Sequence, residues 1–290
     1  VNDGEVTNND SLLITFTLSE AASNFTSSDI SLSGGQLSSF TATSSTIYTA
    51  IFKPSSAGET TIDVATNAFT DGAGNNNIAS SQFNWSYDNV APTISISAKN
   101  SNGSVVNDGE VTNNDSLLIT FTLSEAASNF TSSDISLSGG QLSSFTATSS
   151  TVYTAIFKPS SVGETTIDVA TNVFTDGAGN DNIASSQFNW SFDNVAPTIS
   201  FVNLLSDNSA IKITLSETAY SQNNGSGLLE ISDFQFSIVG GTGTLTSNNP
   251  TSLNKNGNAY TLTIDLSGTP DGNEQLTISL LSNSAYDAIG

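Results

Sequence analysis

The chain of 290 residues carries a formal net charge of -22, with five lysines, no arginine, and no histidine, cysteine or methionine. No basic patch can be assembled from this set, which excludes nucleic acid as a partner and disfavours an anionic membrane surface. The missing cysteine and histidine remove disulfides, zinc–thiolate sites, thiol nucleophiles and the commonest general base.

No apolar run approaches the ~20 residues of a membrane span. The chain opens in mid-pattern, so the lack of a signal peptide carries no weight against export. The hydrophobic fraction of 36% is rich in Val, Ile, Leu and Phe at alternating positions, enough for small β cores. High acidity with abundant Ser, Thr and Asn suits an extracellular, cell-surface protein.

Residues 2–95 return as residues 107–200 with five exchanges: Ile47/Val152, Ala57/Val162, Ala68/Val173, Asn76/Asp181 and Tyr87/Phe192. The period of about 105 residues suits one β-sandwich per repeat. Three immunoglobulin-like modules are therefore expected, over 1–90, 91–195 and 196–290. The third is diverged: Ile211–Glu217 restates Leu13–Glu20, and Ser284–Gly290 echoes Asn67–Gly74. The first lacks an opening strand and the third a closing one. Both ends look cut from a longer array, unless a neighbouring chain supplies those strands.

In the middle module, Pro92–Ala98 is expected to be the first strand and Lys99–Asp115 a polar loop. Ser116–Glu125 alternates cleanly, with Leu117, Ile119, Phe121 and Leu123 on one face. Asp134–Ser138, Gln141–Thr148, Thr151–Lys158 and Glu164–Val173 follow as strands. Thr175–Asn182 is a Gly-rich loop, and Gln187–Phe192 closes the module with Trp190 in the core. Nothing has the 3.6-residue period of a helix, so the fold class is all-β, with tandem immunoglobulin-like sandwiches end to end.

Strand direction brings Asp88, Asn89, Glu125, Asp134, Asp176 and Asn180 to one pole of the middle module. The pattern recurs with Asp193, Asn194, Glu217, Asp233 and Asp287. In the first module Glu20, Asp29 and Asp71 await a connector. The connectors themselves, Asp88–Pro92 and Asp193–Pro197, are short and stiffened by proline. At an effective dielectric of ~20, two carboxylates ~4 Å apart repel by about 4 kcal/mol, and a divalent cation reverses that sign. An all-oxygen donor set in irregular loops favours Ca²⁺ over zinc, copper or octahedral Mg²⁺. Asp and Asn also favour turns with no metal present, so each of these acids has an ordinary structural role open to it. The expected cofactor is Ca²⁺ at the module junctions, and the expected consequence is a stiff rod whose partners are the neighbouring repeats.

The Asp176–Asp181 run lacks the spacing of an EF-hand. The paired acids sit at module poles without a pocket, so no enzyme is expected. The order LSEAA, FTSSDI, YTAIFKP, TDGAGN and FDNVAPT resembles the bacterial Ig-like repeat of large surface adhesins, across both near-identical modules. The third module is similar to Ig-like modules in exported proteins of gliding Bacteroidota. The connector resembles the Asp-Asn-x-Ala-Pro connector of cadherins, where Ca²⁺ rigidifies a rod. These resemblances imply export, cell-surface attachment and a stalk or adhesive role, in biofilm formation or gliding motility, with surface glycans, cells or substrata bound by regions outside this segment. Two other readings stay open. One is glycan or ice recognition by the Thr146–Thr151 hydroxyls; the other is a filament or surface layer built by strand exchange.

Overall fold

A computed structural model describes all 290 residues. It is built from β-strands and three single-turn 3₁₀ segments, as the alternating pattern predicts. Packing divides the chain into two compact units. One comprises Val1–Asn107, Ser116–Lys158 and Thr166–Asn189; the other comprises Asp108–Asp115, Pro159–Thr165 and Trp190–Gly290.

In the first unit, the first repeat runs through β1 (Val6–Thr7), β2 (Leu12–Thr17), β3 (Ile30–Ser33), β4 (Gly35–Ala42), β5 (Ile47–Pro54), β6 (Gly58–Val64) and β7 (Phe83–Tyr87). They form two sheets, ordered β1-β7-β6-β3 and β2-β5-β4. All pairs are antiparallel except β1 with β7, which run parallel with Val6 opposite Ser86. Between the sheets lie Phe25, Ile30, Tyr48, Phe52, Ile62, Val64 and Trp85. Phe25 meets the rings of Phe16, Phe40, Tyr48 and Phe69 at centroid distances of 4.8 to 5.9 Å, in the edge-on and tilted geometries aromatic quadrupoles favour. The buried Thr60 hydroxyl donates to the Trp85 carbonyl at 2.9 Å. Gly35 has to be glycine, because a Cβ there would lie 2.4 Å from the Phe52 ring.

The second repeat contributes β8 (Ile94–Lys99), β9 (Val105–Val106), β10 (Glu110–Thr112), β11 (Leu117–Leu123), β12 (Ile135–Ser138), β13 (Gly140–Ala147), β14 (Val152–Pro159), β15 (Gly163–Val169) and β16 (Phe188–Phe192). One sheet is ordered β13-β14-β11-β8-β9. In it β11 is flanked on both edges, by β14 and by β8, with Ile94 opposite Leu123 and Lys99 opposite Leu118. Leu117, Ile119, Phe121 and Phe157 are sealed at 0% exposure.

Three expectations for this repeat change. The segment expected to be a polar loop, Lys99–Asp115, contains β9 and β10, because a tight Asn100–Ser104 turn folds Val105 and Val106 back onto β8. The strand expected to run to Val173 ends at Val169. Beyond it the Asn182 side chain accepts from the Val173 and Phe174 amides and donates to the Ala170 carbonyl, which curls the chain out of the ladder. Asp134 belongs to a 3₁₀ turn, and its strand begins one residue later, at Ile135.

In the second unit, Glu110–Thr112 of β10 run parallel to Trp190–Phe192 of β16, and Trp190 is buried as expected. The third repeat adds β17 (Ile199–Leu204), β18 (Ala210–Leu215), β19 (Phe234–Val239), β20 (Thr244–Leu245), β21 (Leu253–Asn256), β22 (Ala259–Thr263), β23 (Leu266–Ser267) and β24 (Gln275–Leu280). The sheets are β17-β18-β22-β21, β19-β24 and β20-β23. Ile213, Leu215, Phe234, Phe236, Tyr260 and Leu262 form the centre of its core. A carboxylate latch closes one end: Glu274 accepts from the Thr242, Gly243, Asp271 and Gly272 amides at 2.8 to 3.0 Å. Those backbone donors hold its carboxyl at about 2.

Candidate metal centres: two acidic triads

The structure gathers two sets of three carboxylates, Asp88 with Glu125 and Asp176, and Asp193 with Glu217 and Asp287. Within each set the oxygens lie within 4.8 Å of one another. The three members come from three kinds of local structure, repeated in both sets.

The first member sits just after a closing strand. Asp88 follows β7, and its amide donates to the Thr7 carbonyl at 3.0 Å; Asp193 follows β16 and donates likewise to Thr112. Each carboxylate accepts from the amide two residues on, Val90 or Val195, at 3.0 Å. This side-chain turn fixes where the acid points. The second member lies just past the inward-alternating strand: Glu125 after β11, and Glu217 after β18.

The third member organises a loop. Asp176 Oδ1 accepts from the Ala178, Gly179 and Asn180 amides at 2.7 to 2.8 Å, and Oδ2 accepts from the Asn180 side chain at 2.8 Å. It is nearly fully buried, as is Asp287, whose Oδ1 accepts from the Ile289 amide. Bridges from Ala127 to Asp176 and from Tyr220 to Tyr286 hold the loops beside the segment carrying the Glu.

These arrangements concentrate negative charge. Burial, followed by the charges of Asp176 and Asp88, raises the Glu125 carboxyl above its ordinary value. Glu217 is raised in the same way by burial, Asp193 and Asp287. A carboxylate that is disfavoured in its ionised form by two neighbours is stabilised by a shared cation. The donors are carboxylate and carbonyl oxygens only, which fits a hard divalent ion and no soft one.

The other predicted residues fall elsewhere. Asn180 sits beside the first triad, its amide donating to the Asp88 carbonyl at 3.1 Å. Asn89 and Asn194 are exposed on the connectors. Asp29, Asp134 and Asp233 each accept from the backbone amide three residues back, at 2.7 Å, capping the three 3₁₀ turns. They join neither triad. In the first repeat Glu20 is exposed and Asp71 half-buried. Asp71 organises its loop as Asp176 does, through Ala73 and Asn75, but these acids form no triad.

Sequence reasoning missed the asparagines that clamp these loops. Asn8 donates from its backbone to Ala178 and from its side chain to Gly179, at 3.1 and 2.7 Å. Asn113 donates to the Ile289 and Gly290 carbonyls at 3.4 and 3.2 Å. The repeated Thr-Asn-Asn runs, Thr7–Asn9 and Thr112–Asn114, were the available signal.

Residues 1–87 and 88–192 each match the bacterial Ig-like domain family. No curated protein matches the chain. Among solved structures it is similar to InvD of Yersinia pseudotuberculosis, at 15% identity and a TM-score of 0.36, over 98% of this chain and 84% of that one. It is similar to invasin, described as a bacterial integrin-binding protein, at 14% identity and a TM-score of 0.32, over 98% of this chain and 57% of invasin. It is also similar to the S-layer protein rSbsC, at 13% identity and a TM-score of 0.21, over 97% of this chain and 52% of that one. The family matches together extend over residues 1–192, and the chain belongs to the bacterial Ig-like domain family.

Proposed function

We propose that the chain is a stretch of a bacterial cell-surface, adhesin-type repeat protein whose role is mechanical rather than catalytic. Ca²⁺ held by Asp88, Glu125 and Asp176, and by Asp193, Glu217 and Asp287, ties the segment leaving one repeat to two loops of the next. The modules then serve as a stiffened spacer carrying binding regions away from the cell. Biofilm formation and gliding are the settings in which such a spacer acts.

One observation carries this reading. The same three acids arise from the same three structural positions in the second and third repeats, although the third repeat has lost most other identity with the second. The hydroxyls offered for glycan or ice recognition are occupied by their own hairpin. Thr146 and Thr148 donate to the Ser144 and Val152 carbonyls, and Ser149 accepts from the Thr151 and Val152 amides. That favours the spacer over a recognition face.

Calorimetric titration of the chain with Ca²⁺ tests the proposal. Two sites are expected, with affinities of about 10⁻⁴ to 10⁻³ M, as in extracellular modules. One site should vanish in Glu125→Gln and both in the double variant with Glu217→Gln. No binding heat at 10 mM Ca²⁺ would sink the calcium-bound spacer. Labelling of intact cells with an antibody against these repeats tests the surface assignment separately.

A further inference from the structure

The first repeat has a groove of about 730 Å³ between its sheets, lined by Leu12, Ile14, Phe16, Leu18, Phe69 and Phe83 among others. One wall is β2, which is hydrogen-bonded to β5 and forms the edge of its three-stranded sheet. The second repeat shows what this site holds when filled. Residues 12–18 and 117–123 are identical, LLITFTL. In the second repeat β8 lies antiparallel along β11 and turns Ile94 and Ala98 into the core. There Leu117, Ile119 and Phe121 are 0% exposed, whereas Leu12, Ile14 and Phe16 are only half-buried. Phe174 and Phe188 are buried and their counterparts Phe69 and Phe83 are not. Ile78 is 91% exposed against 53% for Ile183.

We propose that this groove is an acceptor site for one kind of partner: the opening strand of another repeat of this type, a proline-led segment with the chemistry of Pro92–Lys99. It adds to β2 by antiparallel strand addition, supplying main-chain hydrogen bonds along the edge and alternate apolar side chains to the pockets. Shifted by one repeat, the register places Ile94 opposite Leu18, Ile96 opposite Phe16 and Ala98 opposite Ile14. Small residues at alternate positions fit, because β8 presents Ser95 and Ser97 to solvent. Charge agrees as well. The groove is rimmed by Glu20, Asp63 and Asp71, while Pro92–Lys99 contains no acid and one lysine. Acidic strands are thereby selected against.

The test adds a capped peptide of residues 91–100 to the 290-residue chain and follows amide hydrogen exchange. The edge-facing amides of β2 should exchange at least tenfold more slowly with peptide, approaching those of β11, which serve as the filled reference in the same sample. Peptides carrying Ile94→Asp or Ser97→Pro should give no protection: the first puts a charge in the core, and the second removes a ladder donor. The idea is overturned if millimolar peptide leaves β2 unprotected, or if a scrambled peptide protects it equally. Concentration-dependent protection of β2 in the chain alone, with dimers in sedimentation, would also overturn it by making a second copy the occupant.

Discussion

The first two repeats differ at five positions between residues 2–95 and 107–200, yet they are not packed alike. Features set by local sequence are the same in both. Thr60 and Thr165 each donate to a tryptophan carbonyl at 2.9 Å. Asp71 and Asp176 each gather the amides of the loop that follows. Phe25 and Phe130 stand edge-on to Tyr48 and Tyr153 at 5.0 and 5.1 Å. What differs is everything β8 touches. One added strand takes the residues of LLITFTL from half-buried to sealed. The acid triad differs too, since it forms only where a connector acid reaches the Glu and the loop Asp. Local chemistry therefore builds each sandwich, and a neighbouring segment completes both its core and its charged pole.

The largest expected effect follows from the packing difference. Ile119→Ala removes a fully buried side chain and should destabilise the second repeat by about 2–5 kcal/mol, the range for cavity-forming truncations. Ile14→Ala, the same change in the first repeat, should cost about 1 kcal/mol, because part of that side chain already faces open space. The chain's two tryptophans fall one in each of these repeats. Urea unfolding of Trp85→Phe and Trp190→Phe backgrounds therefore reports each repeat separately. Equal losses at the two positions would mean that β8 adds nothing to the burial of Ile119.

The next effect tests the pole. If Ca²⁺ binds at ~10⁻⁴ M, 10 mM ion stabilises the folded repeat by about 2.7 kcal/mol. Glu125→Gln should abolish that gain. Without ion it should stabilise by up to about 1 kcal/mol once solvent screening is allowed for, since it removes like-charge repulsion. A simple loss of stability in both conditions would assign Glu125 a structural role instead. The first repeat, which has no triad, should show no calcium-dependent midpoint through Trp85.

The sandwich class was legible because burial in a sheet writes itself as a two-residue period, as in Leu117, Ile119, Phe121 and Leu123. Strand direction alone then placed Asp88, Glu125 and Asp176 at one pole. Side-chain hydrogen bonds to the backbone were not legible. Asn182 ends β15 early, and Asp134 spends its carboxylate on Thr131; neither act leaves a periodic trace. The parallel pairing of β1 with β7 and of β10 with β16 was missed for a related reason. Strands of two or three residues are too short to show alternation, yet their carbonyls, from Thr7 and Thr112, orient the connector acids. The Glu274 latch was likewise invisible, since its partners are four main-chain amides with no side-chain signature.

A smaller effect tests what should be equal between the repeats. Thr60→Val and Thr165→Val each remove a buried hydroxyl donor while keeping shape, and each should cost about 1 kcal/mol. Their agreement would show that β8 leaves the far sheet untouched. A markedly larger loss at Thr165 would mean that completing one sheet also tightens the other.

The smallest effect concerns Asp71, where the loop chemistry exists without the triad. The Asn75 side chain and backbone, followed by weaker backbone donors at Ala73 and Gly74, lower its carboxyl below the ordinary 3.8. A lowered acid contributes stability that is complete above its unfolded value and is lost as pH falls through the folded one. Asp71→Asn should therefore lower the urea midpoint of the first repeat slightly at pH 7, and the gap from the parent chain should close by pH 3. Because Asp71 has no acidic neighbours, the change isolates loop capping from charge repulsion, which Asp176 cannot do with Glu125 and Asp88 beside it. A gap that stays constant with pH would show that the asparagine disturbs the shape of the loop rather than its charge. The same neutralisation at Asp176 would then have to be read as a change in geometry before any of its effect on cation binding is assigned to charge.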